Sequence, residues 1–78
     1  MSKKPLAYKG LMGGITRESA VNIYTFLRNE ADMDDDLTSV EYYNGVLDGM
    51  GTVMNGEIFS QKLLEEMKAY GIETIEHP

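Results

Sequence analysis

The sequence lacks cysteine and contains a single histidine, His77, and these absences exclude the commonest catalytic arrangements. Without cysteine the chain has neither a disulfide nor a thiol nucleophile, which fits a reducing compartment. His77 stands beside the last residue, where a fixed geometry is hard to maintain. No serine is paired with a plausible base, and a chain of this size barely forms a substrate pocket. We therefore expect no enzymatic activity and no cofactor.

Long apolar runs are also missing. No stretch approaches the roughly 20 apolar residues that cross a bilayer. The first residues carry the positive charge of a signal peptide, but Lys9 and Gly10 interrupt the apolar segment that must follow. We expect a soluble, cytoplasmic protein that makes no membrane contact.

Basic residues are absent between Arg28 and Lys62, and this gap is the most informative feature of the charge pattern. The stretch 29–61 holds eight carboxylates, which are Glu30, Asp32, Asp34, Asp35, Asp36, Glu41, Asp48 and Glu57. Residues 1–17, in contrast, contain four basic residues and no acid, and the whole chain has a net charge of −6. Such a surface repels nucleic acid and anionic membranes and attracts basic surfaces. We therefore expect no direct binding of nucleic acid.

The length of 78 residues corresponds to one small domain. A chain this short buries only about 60–65% of its unfolded surface, so its stability alone is marginal. Because disulfides are excluded, a metal or self-association would have to make up a shortfall. The composition predicts a basic, glycine-rich arm or loop at 1–14, followed by a single helical domain at 15–78.

A first helix is predicted at about 17–30. Thr16 suits the N-cap position, and Ile15 and Ala20 can form a hydrophobic staple across it. The apolar residues of this segment recur at spacings of three and four, and they are Ala20, Ile23, Tyr24, Leu27 and Ala31. This spacing places them on one helical face.

A second helix is predicted at about 37–54, with Asp36 as its N-cap. Its apolar residues form two adjacent stripes, which are Val40, Tyr43, Leu47, Met50 and Met54, and then Tyr42, Val46, Gly49 and Val53. Gly45, Gly49 and Gly51 lie inside this segment, and each costs about 1 kcal/mol relative to alanine. Either the helix breaks near 49–51, or another backbone packs closely against the glycines. The apolar period continues to Met54, which favours the second interpretation.

A third helix is predicted at about 57–70, with Phe59, Leu63, Leu64, Met67 and Tyr70 at helical spacing. Gly71 fits the left-handed position after the helix, and Ile72 fits the apolar contact of that cap. The tail 73–78 is expected to be extended and to pair with 6–8. The predicted fold is therefore all-α or mostly α, a compact three-helix domain with an irregular basic N-terminal arm and a short terminal β pairing.

The acidic segment between the first two helices resembles a degenerate EF-hand calcium loop. Read from Glu30, the candidate ligands are Glu30, Asp32, Asp34 and Glu41. However, Asp35 stands where the sharp turn of that loop needs glycine. Acids are common at helix N-termini, so the favoured interpretation is an N-capped helix preceded by a solvated acidic loop, without a metal.

The second helix also carries a candidate interface for another helix or for a second copy of the chain. Its residues are Tyr42, Gly45, Val46, Gly49 and Val53. The spacing of Gly45 and Gly49 allows close approach of two helices. Burial of all these residues in one intramolecular core is an equally good interpretation.

These observations favour a small, acidic, non-enzymatic protein-binding module. The candidate partner-binding residues are Asp32, Asp34, Asp35, Asp36, Glu41 and Asp48. The partner would be a larger protein with a basic surface. Where that surface normally holds DNA or RNA, the carboxylates would compete with phosphates. In size, charge and lack of catalytic groups the chain resembles small phage- or plasmid-encoded inhibitors of host nucleic-acid enzymes. The alternatives are a calcium-binding helical module and a structural homodimer whose acidic surface keeps it soluble.

Overall fold

The computed structural model describes residues 4–50 and 56–76 of the chain. Helices hold about 60% of these residues, which confirms the prediction of a mostly α protein. In chain order the elements are β1 (Ala7–Tyr8), β2 (Ile15–Thr16), α1 (Arg17–Met33), α2 (Leu37–Met50), β3 (Glu57–Ile58), α3 (Gln61–Tyr70) and β4 (Thr74–Ile75).

Helix α1 begins where the sequence predicts. The hydroxyl of Thr16 accepts a hydrogen bond from the Ser19 amide at 3.3 Å, so Thr16 is the N-cap. All five residues of the predicted apolar stripe are buried. The helix continues three residues past the predicted end at 30, because Ala31 extends the buried stripe by one more turn.

Helix α2 begins at Leu37, as predicted, and is described to Met50. The predicted end at 54 lies outside the described residues. A Cβ atom added at Gly45 or Gly49 would meet no other atom within 4 Å. The expected close packing of another backbone of this chain is therefore wrong at these two glycines, because they lie on the exposed face of the helix. Gly51 falls outside the described residues.

Helix α3 begins at Gln61, four residues later than predicted. The hydroxyl of Ser60 accepts from the Leu63 amide at 3.2 Å and caps the helix. The preceding residues form β3, so Phe59 is not on a buried helical face as predicted and is 70% exposed. The predicted C-terminal cap is confirmed, since Gly71 has a φ of 69° and the Ile72 amide donates to the Met67 carbonyl at 2.8 Å.

The expected pairing of 6–8 with the tail 73–78 is confirmed at Thr74–Ile75, and the strands run parallel, with Ala7 opposite Thr74. Strand β2 pairs antiparallel with β3, and a bridge between Lys9 and Ile15 connects the two pairs. The spatial order is thus β4-β1-β2-β3, which we call the ribbon. The N-terminal segment is not the irregular arm that was expected, because its strand pairs on both sides and Ala7 is fully buried.

The loop 10–14 joins β1 to β2, and the side chain of Glu57 fills it. The carboxylate of Glu57 accepts hydrogen bonds from the Met12 amide at 2.7 and 3.0 Å and from the Gly14 amide at 2.7 Å. A Cβ atom at Gly14 would lie 2.8 Å from Glu57 Cβ and 2.9 Å from Phe59 Cζ. Only glycine therefore allows β3 to come this close to the loop.

The core lies between α1 and the elements that surround it. Its largest fully buried side chains are Ile23, Leu27 and Leu63. Tyr43 of α2 joins this core, with its ring centroid 6.1 Å from that of Tyr24. The Tyr43 hydroxyl donates to Glu66 Oε2 at 3.1 Å, so this buried polar group is satisfied by α3.

Replacing Glu57 with alanine should destabilise the fold by about 1–3 kcal/mol, because two backbone amides lose a charged acceptor. Urea unfolding of wild type and Glu57→Ala measures this loss. Glu73→Ala is the matched control, because the exposed side chain of Glu73 makes no hydrogen bond to residues 4–50 or 56–76. If the two substitutions destabilise the fold equally, the hydrogen bonds from Glu57 to the loop 10–14 do not contribute to stability.

Stability should also fall as the solution becomes alkaline. The pKa of Tyr43 is raised above its ordinary value of 10.0, mainly by burial and to a smaller extent by the hydrogen bond to Glu66. The unfolded chain therefore loses this proton first, so stability is complete below pH 10.0 and declines above it. Melting temperatures measured from neutral pH to about pH 11 should decline less for Tyr43→Phe than for wild type. Tyr8→Phe, at a more exposed ring, should leave the decline unchanged.

Candidate functional site

The connection between α1 and α2 is only three residues long and is held by backbone hydrogen bonds. The amides of Asp34, Asp35 and Asp36 all donate to carbonyl oxygens in the last turn of α1, at 2.9–3.2 Å. Asp35 has a φ of 57°, a left-handed conformation that aspartate tolerates better than most residues. Three adjacent carboxylates are therefore carried on an ordered turn.

Asp36 has a structural role within this turn. Its carboxylate accepts hydrogen bonds from the Ser39 hydroxyl at 2.7 Å and from the Ser39 amide at 3.2 Å. These two hydrogen bonds hold the pKa of Asp36 below its ordinary value, and the bond from the Ser39 hydroxyl contributes more than the bond from the Ser39 amide. The prediction that Asp36 is the N-cap of the second helix is therefore confirmed.

The six predicted partner-binding residues all have exposed side chains, and they are Asp32, Asp34, Asp35, Asp36, Glu41 and Asp48. We call this set the acidic surface. Glu41 and Asp48 lie two turns apart on α2, whereas Asp34 lies in the turn that precedes the helix. From Asp36 to Asp48 the helical rise of 1.5 Å per residue gives an extent of about 18 Å.

Basic side chains do not neutralise the acidic surface in the part of the chain that the structure describes. The salt bridge between Lys9 Nζ and Glu76 Oε1, at 3.7 Å, lies on the ribbon and involves none of these carboxylates. Arg28 is the basic residue nearest in sequence, and its guanidinium donates to the amide oxygens of Asn44 and Asn29. The carboxylates thus remain available to an external cation.

Two exposed apolar side chains flank the acidic turn, a feature that the sequence reasoning missed. Met33 is 70% exposed at the end of α1, and Leu37 is 68% exposed at the start of α2. Their positions directly before and after Asp34–Asp36 were visible in the sequence. The acidic surface therefore offers apolar contact as well as charge.

The candidate calcium ligands do not form an EF-hand. Helix α1 includes Glu30 and Asp32, and α2 includes Glu41, so a three-residue turn stands where the motif needs a twelve-residue loop. Across residues 4–50 and 56–76, no group of three or more potential ligands is placed to hold a metal ion. The calcium-binding alternative is not supported by this geometry.

The predicted interface on α2 is divided by the structure. Val46 is half-buried and packs against the core, whereas Tyr42, Gly45 and Gly49 are exposed. Lys62 of α3 covers the Tyr42 ring, with its Nζ 4.2 Å from the ring centroid. Val53 lies outside the described residues. The four described residues of this set therefore do not form one continuous open stripe.

A second surface, which sequence reasoning did not find, lies where the ribbon meets α3. A groove of about 590 Å³ is lined by the ribbon strands and the start of α3, including Lys9, Ile15, Ile58, Phe59, Gln61 and Leu64. We call it the ribbon groove. Phe59 is 70% and Leu64 45% exposed beside it. The sequence concealed this surface because both residues fit the spacing of the predicted third helix.

Comparison with protein-family models, curated proteins and solved structures found no match to this chain. No helix within residues 4–50 or 56–76 is long and apolar enough to span a membrane. A functional proposal must therefore rest on the chain's own surfaces.

Replacing Asp36 with alanine should lower the melting temperature, because Ser39 loses the carboxylate that caps α2. Since the pKa of Asp36 is lowered in the fold, its contribution is complete above pH 3.8 and is lost as the pH falls below that value. The difference in melting temperature between wild type and Asp36→Ala should therefore shrink in acid. Asp48→Ala, near the far end of α2, is the matched control and should lower the melting temperature less than Asp36→Ala at neutral pH.

Proposed function

We propose that this chain is a non-enzymatic protein-binding module that docks its acidic surface on a basic site of a larger protein. The observation that carries the proposal is the exposure of six carboxylates without a basic partner among the described residues. The hydrogen-bonded turn that holds three of them supports it further, because an ordered array loses little entropy on binding.

The spacing of the carboxylates favours a partner site that normally holds nucleic acid. Glu41 and Asp48 are separated by seven residues of helix, which is about 10.5 Å along the axis. A DNA strand likewise carries one negative charge at each regular step along its axis. Carboxylates repeated along a helix can therefore occupy positions where a basic site binds phosphates. We propose inhibition of such a nucleic-acid-binding protein as the biological outcome, in the manner of small phage- or plasmid-encoded inhibitors.

The apolar flanks of the turn define the partner site more closely. A site that only binds phosphates offers charge, whereas Met33 and Leu37 require apolar contacts between or beside the basic groups. A protein partner satisfies both requirements. Free polycations and simple counterions satisfy only the first.

The test is capture of a partner from lysate on the immobilised full chain, followed by affinity measurement with the purified partner. Exposed charges are screened beyond about 8 Å at physiological ionic strength, so binding should weaken as salt rises. Glu41→Lys with Asp48→Lys should weaken binding about tenfold or more. Duplex DNA should compete for the same site on the partner.

The matched control is Glu65→Lys with Glu73→Lys. Both residues are exposed, both lie outside the acidic surface, and the double substitution changes the net charge by the same amount. If the two double variants lose the same affinity, only overall charge matters and the acidic surface is not the docking site. An affinity that ignores salt and both charge reversals would exclude electrostatic docking altogether.

A further inference from the structure

We propose that the ribbon groove is the interface of a homodimer, in which a second copy of this chain docks on Phe59 and Leu64. The groove is apolar for a surface of so charged a protein, and Ile15 and Ile58 line it from neighbouring strands. Phe59 and Leu64 remain 70% and 45% exposed beside it. Contiguous exposed apolar surface of this kind marks an interaction site.

The loop 10–14 supplies the protrusion that such a groove needs. Leu11 is 97% exposed and Met12 79% exposed, and the next residues of the loop, Gly13 and Gly14, line the groove. The bonds to the Glu57 carboxylate fix this loop. A protrusion and a groove side by side suit a two-fold interface, since each copy can insert its loop into the groove of the other.

The lack of carboxylates in the ribbon groove allows a second acidic copy of the chain to approach there. Two chains of net charge −6 repel each other, and residues 29–50 contain seven carboxylates and no basic residue. The ten residues that line the ribbon groove include no carboxylate and one lysine, Lys9. Two copies can therefore meet at the ribbon groove without bringing carboxylates of its lining together.

The size of the chain supports the same conclusion. A specific interface covers about 800 Å² on each partner, and the chain exposes 5437 Å² in all. An interface of that size would cover about one seventh of the chain's exposed surface, so it would have to extend from the ribbon groove over the loop 10–14. A domain this small is only marginally stable alone, so the additional burial has a direct benefit.

The experiment is sedimentation equilibrium of the full chain from about 1 µM to 1 mM, a range that detects weak and tight dimers. Wild type should be a dimer at the upper concentrations. Phe59→Ser should weaken the dimer about tenfold or more, because aromatic anchors contribute most to interfaces. Leu11→Ser is the second variant, and its nearly complete exposure means that it leaves the monomer fold unchanged.

Leu37→Ser is the matched control, since Leu37 is 68% exposed and lies on the acidic turn. It should leave the dimer unchanged. A chain that stays monomeric throughout would overturn the proposal. So would a dimer that tolerates Phe59→Ser and Leu11→Ser, because the interface would then lie elsewhere.

Salt separates this proposal from the proposed function. Dimerisation through an apolar groove should strengthen as salt screens the repulsion between two acidic chains. Docking of the acidic surface should weaken under the same conditions. Each proposal can therefore fail without the other.

Discussion

The hydrogen bonds between the Glu57 carboxylate and the loop 10–14 hold together parts of the chain that are far apart in sequence. They join the β1–β2 connection to the strand that precedes α3. Without this carboxylate the amides of Met12 and Gly14 would lose a charged acceptor. The contact helps to fix β3 against the loop whose glycines line the ribbon groove, whereas the start of α3 is set by the Ser60 cap.

The molecule has two exposed surfaces of different character. The last turn of α1, the turn between α1 and α2 and the exposed side of α2 carry six carboxylates beside Met33 and Leu37, whereas the ribbon and the start of α3 expose apolar residues such as Phe59 and Leu64. Glu57 lies within the acidic stretch of the sequence, but its charge is used inside the fold on backbone amides. Of the eight carboxylates in that stretch, Glu57 and the half-buried Glu30 are therefore not part of the acidic surface.

Local rules predicted the helical part of the fold well and the ribbon poorly. Helix ends are capped by residues close to them in sequence, so the roles of Thr16, Asp36 and Gly71 could be predicted from the sequence. Phe59 was placed on the wrong element because its spacing fits a helix, while the pairing that makes β3 depends on β2, some forty residues earlier. Exposure of the acidic surface was predictable from composition. The ribbon groove was not, because it exists only after four strands have met.

The parallel pairing of β1 with β4 has a consequence for how the chain is made. Ala7 is fully buried, yet its pairing partner Thr74 lies almost at the other end of the sequence. Closing so long a loop is entropically costly and slow compared with forming the helices. During synthesis the helices can form on the ribosome, but β1 can pair with β4 only after β4 has been synthesised. This part of the native structure is therefore completed only after Thr74 and Ile75 have been translated.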